Sequence, residues 1–250
     1  MDVCQFGDSL KLVSIPTVIT TIGEGSRMQD HDDSVQNHMP DWSHVHLDLK
    51  EGRDFVRNYF PDFLSHYDDF QYDEQRVNSL RYMWLYVYGG VVLDSTNQIN
   101  EPIDRLFYSD NDLYLVPSVW NHGYYSVQFI GSRAKHPIWL DMLDAIKKPP
   151  PIWARTKYLK INATTGSYKL TEVIKDNTHT YVVLPRKLVD PCTICADGKL
   201  NNSGVLAGFD DDLNWDYKLY RWSYCNWWII LIVLAVLLVL GLLMFRRRRG

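Results

Sequence analysis

Basic charge is scarce in this chain away from its extreme C-terminus. Its 26 lysines and arginines face 30 aspartates and glutamates, and four of the 26 are Arg246 to Arg249. The rest of the chain therefore carries a net charge of about −8. Affinity for DNA or RNA comes mainly from neutralised phosphates, so nucleic acid is excluded as a partner. Cysteine is also sparse, with four in 250 residues. Cys192-Thr-Ile-Cys195 has the spacing of half a zinc site or a redox pair, but no second C-x-x-C or H-x-x-x-H completes a ribbon. These thiols read as plain cysteines or one local disulfide. Residues 1–20 lack a basic segment followed by an apolar run, so no signal peptide is read there. Repeats, low-complexity tracts and long linkers are missing too.

What remains is ordinary globular composition, 46% apolar and 22% charged, enough to bury one sizeable core. One long apolar run stands apart from it. Trp227 to Phe245, WWIILIVLAVLLVLGLLMF, holds no charge and as a helix would extend roughly 28 Å, the thickness of a hydrocarbon core. It is expected to be a transmembrane helix, with Trp227 and Trp228 in an aromatic belt and Arg246 to Arg249 stopping it at the opposite interface. The expected organisation is a domain over residues 1–220, a juxtamembrane neck over 221–226, the helix over 227–245 and a basic tail over 246–250. The arginines favour a lumenal or exterior domain by the positive-inside rule, and the sequons at Asn162 and Asn201 fit it. The missing N-terminal signal favours a cytosolic one. The lumenal orientation is the one expected here.

Within the domain, strand and helix signals alternate, which predicts a mixed α/β sheet. Leu12 to Ile22 is rich in β-branched residues and reads as a buried strand. Gly23 to Asp41 is polar and reads as turn-forming, with His31-Asp32-Asp33 in a solvated loop. His44 to Leu49 alternates and reads as a strand; His44 and His46 share one face, suited to a shared metal or, more simply, to solvent. A helix over Gly52 to Tyr59 stops before Pro61. Further strands are expected at Leu113–Val116, Ser126–Ile130 and Tyr181–Leu184, and further helices near Pro137–Lys147 and Tyr168–Lys175.

The most informative stretch is a helix over Glu74 to Tyr88, with Val77, Leu80, Trp84 and Val87 at three- and four-residue spacing as a core stripe. Gly89-Gly90 ends it. Val91 to Asp94 follows as an apolar strand finishing on a carboxylate, then the polar turn Ser95 to Asn97. Ligands of open α/β sheets lie beyond the carboxyl ends of strands, so Asp94 is a candidate site residue.

The segment Leu80 to Pro102, LRYMWLYVYGGVVLDSTNQINEP, resembles the core of glycosyltransferase family 32, which includes yeast-type initiating mannosyltransferases and inositol phosphorylceramide mannosyltransferases. There a helix reading S-D-x-L-R-Y-x-x-L-Y-x-Y-G-G precedes a strand that ends in D-x-D. Ile15-Pro16-Thr17-Val18-Ile19 is similar to the family's opening strand, Phe129 to Pro137 to its strand and H-P helix start, and Thr165-Gly166-Ser167 to its T-G-P loop. The resemblance implies a GT-A fold and transfer of a hexose, with retention, from a nucleotide-sugar donor to a glycolipid or glycoprotein acceptor. It also implies a divalent cation, manganese or magnesium. On this reading Asp94 and Arg81 are catalytic, Asp94 is also the remaining metal carboxylate, and Asn78, Thr20, Thr21, Thr96, Gly89 and Gly90 contact the donor. A guanidinium suits diphosphate or sugar oxygens, and the Asn78 amide suits a sugar hydroxyl.

Two carboxylates of the family pattern are missing. Asn78 stands where S-D-x-L-R has its Asp, and Thr96 stands where D-x-D has its second Asp. Hard cations want anionic oxygen, so dependence on metal is expected to be weaker than the family's. Trp120, Asn121, His122 and Tyr124, in a loop after a strand, suit stacking on a sugar face, and with Gly166 form the candidate acceptor contact. Alternative readings are a catalytically impaired sugar- or nucleotide-binding relative and a membrane-assembly protein whose domain only contacts partners.

Overall fold

A computed structural model of the chain describes residues 14–23, 28–107, 110–118, 123–185, 206–208, 219, 222–223 and 225–247. Its centre is a six-stranded mixed sheet. Strand β1 (Val18–Ile22) lies between β2 (Ser43–Leu47) and β3 (Gly90–Leu93), parallel to both. Beyond β3 come β6 (Tyr125–Ser132), antiparallel to it, then β5 (Leu113–Pro117) and β7 (Val182–Val183). A separate two-stranded ladder pairs β4 (Asn97–Ile99) with β8 (Leu206–Gly208).

Side-chain alternation divides the core into two layers. Ile22, Val92, Leu113, Leu115 and Ile130 face one layer, where α2 (Leu49–Tyr59), α4 (Asp73–Val87), α5 (Ile138–Ile146) and α7 (Ser167–Lys175) cover the sheet. Ile19, Val91, Leu93, Tyr114 and Phe129 face the other, which is closed by Val35 and Met39 of α1 (Met28–His38) and its C-terminal flank. Helix α2 is set by a capping box: the Asp48 carboxylate accepts from the Glu51 amide at 2.7 Å, and Glu51 accepts in return from the Asp48 amide. A short α3 (Leu64–Asp68) follows, and α6 (Lys157–Thr164) starts on the Thr156 hydroxyl.

Helix α4 departs from the one-sided stripe. Leu80 is buried as expected, but Gln75, Asn78, Ser79, Arg81, Tyr82, Met83 and Leu85 are buried as well. The helix is wedged between the sheet and α5, where Tyr82 stacks on Trp139 at 5.6 Å, so its polar residues face protein rather than water. At its end Gly89 and Gly90 have φ of +69° and +89°. A Cβ on Gly90 would stand 2.5 Å from the Val18 carbonyl oxygen, so only glycine lets the chain turn from helix into the central strand.

Two expectations need correction. The first strand starts at Val18; Ser14 to Thr17 are not strand, and Leu12 and Val13 lie outside the described residues. The stretch taken as polar and turn-forming holds the eleven-residue helix α1, and His31 within it is fully buried, not solvated. The physical reason is that α1 packs through Val35 and His31, too few apolar positions to make a periodic stripe.

Helix α8 (Trp227–Arg247) runs 21 residues, and the apolar side chains from Leu231 to Leu240 stand about half exposed. Its side chains are described from Trp227 to Leu240 and at Met244. Over the residues whose side chains are described, which leave out 241–243 and 245–247 of α8, no helix is long and apolar enough to cross a membrane. Cys225, two residues before α8, is disulfide-bonded. Cys192, Cys195 and Asn201 lie outside the described residues.

Candidate active site

The carboxyl ends of β1, β2, β3 and β5 share one edge of the sheet, and the antiparallel β6 begins there. Asp94 follows β3 directly, and its amide donates to the Gln128 carbonyl of β6 at 2.8 Å. From the covering layer Arg81 donates to the Asp94 carboxylate and, through Nη1, to Asn78 Oδ1 at 3.1 Å and the Val127 carbonyl at 3.2 Å. The other carboxylate oxygen accepts from the Thr96 amide at 3.0 Å and the Thr96 hydroxyl at 2.7 Å. Arg81 is nearly enclosed, its side chain 4% exposed against 17% for Asp94. Burial alone would raise the Asp94 carboxyl, but the Arg81 guanidinium and the two Thr96 donors hold it below the ordinary carboxylate range.

The loop before α7 completes this wall. Asn78 donates to the Thr165 hydroxyl at 3.4 Å, Tyr82 donates to the Thr165 carbonyl at 2.7 Å, and Gln75 donates to Thr164 at 2.8 Å. Gly166, at the mouth of α7, packs against Asn162, whose Cα would stand 2.8 Å from an added Cβ. Thr165 is the residue that sequence reasoning passed over. Its signal was adjacency to Gly166 in the T-G-S stretch.

Of the other expected donor contacts, Thr96 and Asn78 join Arg81 and Asp94 directly. Thr20 is buried on β1, and its hydroxyl has no hydrogen-bond partner. Thr21 points to the opposite face, where its hydroxyl meets His31. Gly89 and Gly90 lie at the amino end of β3, the opposite end from Asp94, and serve the turn rather than the edge. Tyr124 sits beside the end of β5, where its carbonyl accepts from the Ser118 amide at 2.7 Å. Its ring lies 4.7 Å from that of Tyr168, which itself neighbours Trp153. Trp120, Asn121 and His122 lie outside the described residues.

A diphosphate-bridging cation does not fit at Asp94. Three protein donors already occupy its two oxygens, one of them cationic, and position 96 supplies a hydroxyl where a second carboxylate would be needed. What the arrangement offers instead is a fixed guanidinium at the carboxyl edge, with Arg81 Nε buried and without a hydrogen-bond partner. The positive charge so fixed favours an anionic ligand at the edge beside it.

The fold is a mixed α/β sheet with a buried Arg–Asp pair at its carboxyl edge, the edge where open sheets of this kind take ligands. No family profile matches the chain. Its homologues are inositol phosphoceramide mannosyltransferases. The chain is 35% identical over 69 residues to inositol phosphoceramide mannosyltransferase 3 of Schizosaccharomyces pombe, a stretch covering 28% of this chain and 19% of that one. It is 25% identical over 136 residues to the mannosyl phosphorylinositol ceramide synthase SUR1 of Saccharomyces cerevisiae, covering 54% and 34%. The chain thus spans between 19% and 34% of the length of these relatives. Among solved structures the chain is similar to the PaToxG glycosyltransferase, with TM-score 0.47, 13% identity and coverage of 65% and 69%. It also resembles mouse xyloside xylosyltransferase 1, with TM-score 0.42, 8% identity and coverage of 68% and 85%.

Proposed function

We propose that this chain is a membrane-anchored glycosyltransferase of GT-A type that moves a hexose, with retention, from a nucleotide-sugar to a glycolipid or glycoprotein acceptor. Mannose and an inositol phosphoceramide are the first donor sugar and acceptor to try, because the relatives' names carry both. The observation that carries the reading is the buried Arg81 guanidinium, braced by Asp94, Asn78 and the Val127 carbonyl at the edge where such sheets take ligands. In the reaction Arg81 meets the charge developing on the diphosphate leaving group, a task a preorganised cation performs without reorganisation. Asp94 holds the guanidinium in place, Thr96 holds Asp94, and Thr20, Asn78 and Thr165 line the donor side. Tyr124, with Tyr168 beside it, lies on the acceptor side.

The domain spans residues 1–220, and Trp227 to Phe245 is the anchor, with the 21-residue helix α8 and its exposed apolar side chains in support. The domain faces the lumen or exterior. Arg246 to Arg249 support that orientation, as does the disulfide at Cys225, a bond that persists in oxidising compartments. The sequon at Asn162 lends nothing to it, since Asn162 is half-buried within α6 and donates to the Tyr158 carbonyl at 3.0 Å.

A second reading is a non-catalytic relative that binds a nucleotide or sugar, favoured by the saturation of Asp94. The test is a transfer assay on the purified full chain in detergent, with mannosyl nucleotide donors and inositol phosphoceramide, beside a thermal-shift series of UDP- and GDP-sugars. Transfer that is lost in Arg81→Ala supports the first reading. Binding without turnover supports the second, and no binding of any donor overturns both.

A further inference from the structure

On the opposite face of the sheet from Arg81, two histidines and an aspartate from α1 and β2 converge beneath the turn that follows Asp94. His31 is fully buried, and its Nδ1–H donates to the Asn97 carbonyl at 2.6 Å. With that nitrogen committed, Nε2 is an acceptor, and the Thr21 hydroxyl donates to it at 2.7 Å. The Thr21 oxygen in turn accepts from His44 Nε2–H at 3.3 Å. The chain of hydrogen bonds leaves His44 Nδ1 with a bare lone pair, and that lone pair faces Asp32 Oδ1 at 3.9 Å. Asp32 Oδ1 is itself buried with no hydrogen-bond partner.

Two acceptors that confront each other across 3.9 Å call for a positive charge between them. A proton on His44 could supply it, with Asp32 beside it favouring that. A divalent ion between them supplies more, and it meets the same lone pairs. Neutral imidazoles are what a metal ion binds.

We infer that His31, Asp32 and His44 form a binding site for a divalent transition-metal ion of the zinc class. One ligand atom from each lies within 4.8 Å of the others, and no other such group of three exists among the described residues. A tetrahedral zinc site needs ligand atoms about 3.4 Å apart, given bonds near 2.0–2.1 Å. Asp32 and His44, 33% and 17% exposed in their side chains, have room to close that gap. The Asn97 carbonyl supplies the outer hydrogen bond that orients a metal-binding imidazole. Two imidazoles and one carboxylate select zinc over magnesium or calcium, which prefer all-oxygen shells. His31 binds through Nε2, which gives up the Thr21 hydroxyl to do so, and three protein ligands leave a fourth position for water or that Thr21 oxygen. Because Asn97 also closes the turn on Asp94, with its amide donating to the Asp94 carbonyl at 2.9 Å, the ion ties α1 and β2 to the wall of the edge site. The inference does not depend on the transferase reading.

The test is metal titration of the chelator-treated full chain in detergent, its free thiols alkylated so that thiolates do not contribute and the Cys225 disulfide stays intact. Zinc is followed by calorimetry, and cobalt by its visible absorption. The expected result is one zinc per chain, a rise in apparent melting temperature, and a low-symmetry cobalt spectrum without thiolate charge transfer. Asp32→Asn and His44→Gln should each weaken zinc at least about tenfold; both positions are partly exposed, so the fold survives them, as circular dichroism will check. Substoichiometric binding in the parent, or equal affinity in parent and both variants, overturns the inference.

Discussion

Arg81 on α4 and Asp94 at the end of β3 hold each other at the carboxyl edge of the sheet, and each leaves the other without its main partner if removed. Neither charge is loose. The guanidinium is fixed by three acceptors and the carboxylate by three donors, so the pair behaves as one preorganised unit.

That relationship sets the cost of breaking it. Arg81→Ala or Asp94→Ala strands a buried charge and should destabilise the fold by about 3 kcal/mol. The double variant should cost clearly less than the sum of the two. Urea denaturation of all four proteins measures this, and additive losses would show that the pair is not coupled. Nucleotide-sugar affinity should fall in Arg81→Lys as well, because an ammonium cannot reproduce the fork.

Thr96→Asp should strengthen cation binding at the Asp94 edge. The substitution removes one donor from Asp94 and adds a second anionic oxygen, and manganese affinity should rise about tenfold or more. Calorimetry with manganese checks it; unchanged affinity would mean that Arg81 keeps the edge closed to cations.

Gly90 and Gly123 share a φ of +89°, but an added Cβ meets the Val18 carbonyl at 2.5 Å in the first and nothing within 4 Å in the second. Gly123→Ala should cost about 1 kcal/mol, the left-handed penalty alone. Gly90→Ala should cost about 3 kcal/mol or more, since central backbone must move. Equal costs would show that strain at φ, not space, governs the turn.

His136 is buried, accepts weakly from the Ile138 amide at the start of α5, and is pulled below its ordinary value of 6.5 by burial and by the nearby His179. The unfolded chain therefore takes up its proton at higher pH than the folded one. Stability from this group is complete above about pH 6.5 and is lost as pH falls through the lower folded value. His136→Asn should flatten the fall in urea midpoint between pH 7.5 and 5.5. An unchanged slope would assign the fall to other histidines.

The α4–β3 unit was legible because three local signals coincide there: a periodic helix, a Gly-Gly stop and an apolar strand ending on a carboxylate. Arg81 and Asp94 were legible as residue types at the right edge. That they pair with each other was not, because local sequence does not say where a guanidinium thirteen residues away will point. Helix α1 was hidden for a different reason. MQDHDDSVQNH offers almost no apolar period, and its key buried residue, His31, is satisfied by a carbonyl 66 positions away. Thr165 was missed because its contacts to Asn78 and Tyr82 are likewise long-range.

The brace between Asn78 and Thr165 spans 87 positions of chain. A ribosome adding roughly 5–20 residues per second would take about 4–17 s to cover that interval. Asp94 itself comes later than Asn78, so both members of the charged pair have been made, and the Thr164–Gly166 wall has not, for about 4–14 s of it. The charged pair, its β6 brace at Val127 and its polar wall at Thr165 thus come from stretches of chain made seconds apart, and the edge is complete only when the last of them has packed.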